Sequence, residues 1–167
     1  MAKEIMDSES VEAQAKKILE LHHADLATAR IKYVFVDKAS MRGGRPVLGK
    51  ARKASGVLEH FADADFVIEV ALDQWNNLEP NQKEALVDHL LEFCMGEEDE
   101  NTGEMKWLMR EPDVKEFSTI LRRHGAWHDS LVGFVEIAHS IPIEDRIREV
   151  AEALAQEEAQ QGQQVQN

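Results

Sequence analysis

The chain has 167 residues and 43% hydrophobic content, enough for one core and too little for two. Its formal net charge is -13, with 19 Lys and Arg against 32 Asp and Glu, which argues against broad contact with nucleic-acid phosphates. No run of about 18 apolar residues occurs, and residues 1–9 lack the basic start and apolar stretch of a signal peptide, so a cytoplasmic protein with no membrane contact is expected.

In chain order, Val11, Ala15, Ile18 and Leu19 recur at helical spacing and predict a first helix from Ser10 to His22, with Ser10 as its cap. Residues 31–36, Ile-Lys-Tyr-Val-Phe-Val, are β-branched and aromatic and predict a buried strand. Residues 41–53 combine three glycines, a proline and a dense set of basic side chains, which predicts a turn followed by a strand near the sheet edge. Residues 66–71 predict the next strand. Pro80 then opens a central helix in which Ala85, Leu86, His89, Leu90 and Phe93 share a face, ending at Gly96. An acidic connection over 97–104 leads into a short strand at 105–109. Asp113 is positioned to cap a helix that carries Val114, Phe117, Ile120 and Leu121 inward and stops at Gly125. Helices are expected over 129–139 and 143–156, and residues 158–167 read as a disordered polar tail. The layout is α+β, a small mixed sheet packed against several helices, in a single domain over residues 1–157.

Cys94 is the one cysteine, so no internal disulfide is possible, and it reads as a small buried apolar residue. Trp75, Trp107 and Trp127 each sit beside a predicted element and are expected in the core. Charge is polarised along the chain. Residues 1–53 carry 11 of the 19 basic side chains, whereas the acidic ones concentrate further on, most densely at Glu97, Glu98, Asp99 and Glu100. No Gly-rich phosphate loop, G-x-S-x-G elbow or CxxC pair is present to support another enzyme class.

Several pieces in fixed order resemble the phage metallopeptidase family. They are Leu21-His-His-Ala-Asp-Leu26, residues 31–38 and 49–56, Asp65 to Trp75, Ala85-Leu-Val-Asp-His89, Asp113-Val-Lys-Glu-Phe117 and Arg123-His-Gly-Ala-Trp127. The resemblance implies a zincin-like central helix of D-H-E-L-x-H form, in which two histidines bind zinc and the glutamate acts as general base. It also implies a third histidine just before the D-V-x-E-F stretch. Here Asp88 and His89 match, but Leu90 stands at the glutamate, Phe93 at the second histidine and Pro112 at the third. A catalytic zinc generally takes three protein ligands and an open position, so His89 is expected to be a remnant of the family site, with no zinc or other cofactor and no catalytic residue.

The expected function is that of a non-catalytic, phage-derived binding protein on a metallopeptidase-like scaffold. An inhibitor of a host defence complex of the CRISPR or restriction kind would meet a basic, nucleic-acid-binding host protein through Glu97, Glu98, Asp99 and Glu100. The alternative is a metal-dependent hydrolase or peptidase with substituted ligands.

Overall fold

The computed structural model describes residues 4–164, and their side chains except those of 58, 157–159 and 161–164. Its contacts divide the chain into two compact units, Met1–Glu111 and Pro112–Asn167, where the sequence suggests one domain over 1–157.

The first unit is built on a four-stranded sheet. Strand β1 (Ile5–Asp7) pairs antiparallel with β2 (Ile31–Val36), and β2 runs parallel to β6 (Phe66–Ala71). Strand β5 (Gly49–Lys53) pairs antiparallel with β6 and closes the order β1-β2-β6-β5. Alternation decides which face is covered. Tyr33 and Phe35 of β2 and Phe66, Ile68 and Val70 of β6 point to one side and are buried, while Lys32, Lys50 and Arg52 point to the other and are exposed. Against the buried face lie α1 (Glu9–His22), through Val11, Ala15 and Ile18, and α4 (Pro80–Leu91), through Leu86, Val87, Leu90 and Leu91.

Between β2 and β6 the chain makes the hairpin β3 (Ser40–Arg42) and β4 (Arg45–Val47), then β5, then the short helix α2 (Val57–Ala62). Gly43 and Gly44 join β3 to β4 with φ of 58° and 76°, the backbone that a two-residue turn of this hand requires at both positions. The basic stretch is therefore a tight turn followed by the edge strand, as expected. A single turn, α3 (Leu72–Trp75), buries Trp75 against Phe35, and Lys83 lies 5.5 Å over its ring. Strands β7 (Cys94–Glu98) and β8 (Met105–Met109) form a separate antiparallel hairpin whose Trp107 meets Phe66 edge to face. The second unit holds α5 (Ser118–His124), α6 (Asp129–Ser140) and α7 (Ile143–Gln164). Seven helices among the described residues, one small mixed sheet and two hairpins make an α+β fold.

Several boundaries depart from the sequence expectation. Helix α1 is capped by Ser8, not Ser10; the Ser8 hydroxyl is buried and accepts from Val11 N at 3.3 Å. Helix α4 stops at Leu91 rather than Gly96, because Phe93 O accepts from Arg110 N at 2.8 Å and the hairpin ladder takes over. Asp113 caps no helix; α5 begins at Ser118 behind Phe117, which is 76% exposed, although Gly125 does end it with φ 68°. Trp127 is 59% exposed and does not belong to a core, unlike Trp75 and the partly buried Trp107. Helix α7 continues through residues 158–164, where a disordered tail is expected; residues 165–167 lie outside the described residues.

Candidate functional site

Helix α4 positions the residues singled out by the motif. Pro80 sits at its first turn, and a reciprocal capping box between Glu79 and Gln82 fixes the start. Near its end the helix presents Asp88, His89 and Leu90 in three directions about 100° apart. Asp88 Oδ1 is 2.8 Å from Nε2 of His23, a histidine only 4% exposed at the end of α1. This bond ties the two core helices together across 65 residues of sequence. The predicted first helix ends at His22, and its spacing assigns His23 no partner. The available signal was that His23 and Asp88 both fall in pieces that match the family.

His89 is exposed, and its ring stands edge-on to Phe93 with centroids 5.1 Å apart and planes at 83°. Positions 89 and 93 are thus neighbours in space, although Phe93 already lies in the turn beyond the helix. Leu90 points inward, is 2% exposed, and packs so tightly on the edge strand that a Cβ at Gly49 would fall 2.6 Å from its Cδ1. Glu92, one turn from His89, gives its carboxylate to Arg110 at 2.8 Å. Among the described residues no three His, Cys, Asp or Glu side chains converge where they could hold a metal ion. An imidazole, an isobutyl group and a phenyl ring do not fit the donor set of zinc, the ion that the family motif implies.

Pro112, His124 and His128 belong to the second unit. His124 ends α5 and is exposed, while His128 caps α6 by accepting from Ser130 N through Nδ1. Cys94 is 3% exposed, and burial pushes its thiol up to about 12, so it stays protonated and inert at neutral pH.

The acidic group lies on the β7–β8 hairpin. Glu97, Glu98 and Glu100 are exposed, but Asp99 is a structural member of the turn. Its carboxylate accepts from Lys106 Nζ and from the backbone N–H groups of Asn101 and Thr102, and these bonds, the Lys106 one above all, hold it below the usual carboxylate range. The hairpin is strapped to the body at Gly96, whose N–H donates to Asp25 Oδ2 at 3.0 Å.

The α+β body lays two helices, α1 and α4, on the core face of a mixed sheet, with the Asp88-His89 pair near the end of α4, the arrangement expected of a metallopeptidase-like scaffold. The family model described as putative phage metallopeptidase matches residues 3–136, and the chain belongs to that family. No curated protein and no solved structure matches it.

Proposed function

We propose that this chain is a non-catalytic binding protein, phage-derived, that has kept the family scaffold and lost its chemistry. The observation that carries the reading is the state of α4. The ring beside His89 is Phe93, and the group at the general-base position is Leu90, sealed against Gly49. A metal-bound water would find neither a second imidazole from this helix nor a carboxylate to take its proton, an effect typically worth about 10²- to 10⁴-fold in rate. The scaffold then serves as a carrier of surface.

The surface we assign is the exposed acidic side of the β7–β8 hairpin, Glu97, Glu98 and Glu100, directed at a basic host protein such as a nucleic-acid-binding defence complex of the CRISPR or restriction kind. In support, these carboxylates stand clear of the core on a hairpin anchored at Gly96 and Asp99, so a partner meets fixed charges rather than a loose loop.

Metal analysis of the purified chain, together with capture of host proteins on it, tests the reading. Sub-stoichiometric zinc, a melting temperature indifferent to chelator and recovery of a basic host complex are expected. One tightly held metal per chain with hydrolysis of peptides would overturn it in favour of a metal-dependent hydrolase with substituted ligands.

A further inference from the structure

Residues 38–58 hold six Lys and Arg and no Asp or Glu, in a chain whose net charge is -13. Within this run β3 and β4 form a two-stranded sheet of their own. Every residue from Met41 to Pro46 is exposed, so the ribbon projects from the body. Pro46 has no N–H to offer a further strand, which keeps the ribbon two-stranded. Arg42 and Arg45 are register partners on either side of the turn. Side chains directly opposite in an antiparallel pair share a face, so two guanidiniums stand side by side where like charge destabilises the hairpin. Gly43 and Gly44, between them, leave the tip without a side chain. At the base of the ribbon Lys38 precedes β3, and Lys50 lines a crevice with Ser40 and Val47. Among the described residues none of these four cations makes an ion pair; Glu69, the register partner of Lys50, gives its carboxylate to Arg52 at 3.0 Å instead.

We propose that the β3–β4 ribbon enters the major groove of duplex DNA, with Arg42 and Arg45 at base edges and Lys38 and Lys50 on the flanking phosphates. The fit is one of shape and of charge. The major groove is about 12 Å wide and about 8.5 Å deep and admits a two-stranded ribbon, and Arg is the side chain that most often reads guanine there, through O6 and N7. Three residues per strand reach about 10 Å, enough to bring the tip to the groove floor. The ribbon carries no aromatic ring on which an unpaired base could stack, which favours a duplex over a single strand. A bare Gly-Gly tip beside two planar forks fits a slot, a shape that an acidic protein surface does not require. The acidic excess elsewhere opposes a broad footprint, but the reach of the ribbon exceeds the Debye length of about 8 Å at physiological ionic strength, so the tip is largely screened from it. This surface is opposite in sign to the β7–β8 hairpin and does not rest on the role proposed for that hairpin.

The test is fluorescence anisotropy of a labelled DNA duplex of about 20 base pairs and mixed sequence, titrated with the full chain at roughly 50 and 200 mM salt. A dissociation constant on the order of 10 μM is expected at the lower salt, weakening about tenfold at the higher, as two phosphate contacts dictate. Arg42→Gln together with Arg45→Gln should weaken binding at least about tenfold. That double variant relieves a like-charge pair and should melt no lower than wild type, so lost binding is not lost folding. Arg52→Gln with Lys53→Gln removes the same charge from β5 and should change affinity less than about threefold. Equal losses in the two double variants would reduce the effect to net charge and overturn the proposal. A duplex that stays unbound at the lower salt overturns it as well. So does displacement by a minor-groove ligand, and so does displacement by polyglutamate at equal charge concentration, which would make the occupant an acidic protein segment.

Discussion

At the scale of single residues, the best-fixed ionic group is Asp65, at the entrance to β6. Its carboxylate is 4% exposed by residue and accepts from Arg30 three times, from the backbone N–H at 2.8 Å, from Nε at 3.2 Å and from Nη2 at 2.7 Å, while Asp63 also takes a bond from the same guanidinium. The hydrogen bonds from Arg30 hold Asp65 below its ordinary value of 3.8, and they hold the guanidinium above its own. A carboxyl lowered on folding stabilises the protein in full above that ordinary value and loses its contribution as pH falls through the folded value. Asp65→Asn should therefore cost about 2 kcal/mol at pH 7. Denaturant titrations at pH 7 and at acid pH should show the gap between wild type and variant closing in acid; a constant gap would mean that shape and not charge is at stake.

Gly96 makes a second residue-scale case, because a Cβ there would sit 2.4 Å from Asp25 O and 2.7 Å from the Trp107 ring. Gly96→Ala should destabilise the protein by roughly 1 to 3 kcal/mol. Its effect should appear first as faster hydrogen exchange in β7 and β8, the hairpin that this contact holds.

Among the elements, those whose pattern is local were legible in the sequence. Strands β2, β6 and β8 appear at the residues their composition predicts, because β-branched and aromatic runs bounded by turn residues carry their own signal. Strand β1 and helix α2 were not legible. Three residues are too few to show alternation, and β1 exists because β2 offers it an edge. The end of α4 was misread for a related reason: the helical pattern continues to Phe93, but pairing with β8 outweighs it. The motif positions were legible by resemblance, whereas the His23–Asp88 bond and the role of Asp99 depend on contacts that no spacing displays.

Helix α4 also makes a prediction about how far the old site can be restored. Phe93→His would put a second imidazole where the ring now lies 5.1 Å from His89, and zinc affinity should rise by at least about tenfold, worth about 1.4 kcal/mol. Leu90→Glu behaves differently, since it buries a carboxylate in a place 2% exposed and should cost roughly 3 kcal/mol or more. Isothermal titration with zinc and thermal melts of each single variant separate the two effects. A stable Leu90→Glu protein would mean that the edge strand yields to open a cleft.

For the whole molecule the governing quantity is charge. Basic side chains are concentrated in residues 1–53 of the sequence and the acidic excess follows them; Arg30 and Arg52 of the first stretch pair with Asp63, Asp65 and Glu69 of the second, and the net charge of -13 that remains attracts a basic partner as it approaches. If the proposed function holds, the lever is Glu97, Glu98 and Glu100, which are exposed, and not His89, whose ring lies against Phe93. Replacing the three glutamates with glutamine should leave the fold nearly intact, since exposed positions usually cost within about 0.5 kcal/mol each. Asp99 is kept out of that set because its carboxylate holds Lys106 and two backbone N–H groups, so Asp99→Asn would loosen the hairpin and confuse lost charge with lost shape. Association with the captured host protein should slow in the triple variant and lose most of its dependence on salt, because screening acts on the charges that have been removed. His89→Ala should leave the association rate where it was. Association measured over a range of salt concentrations decides the matter: a triple variant that binds as fast as wild type at low salt, beside a His89→Ala chain that no longer binds, would return function to the helix α4 site.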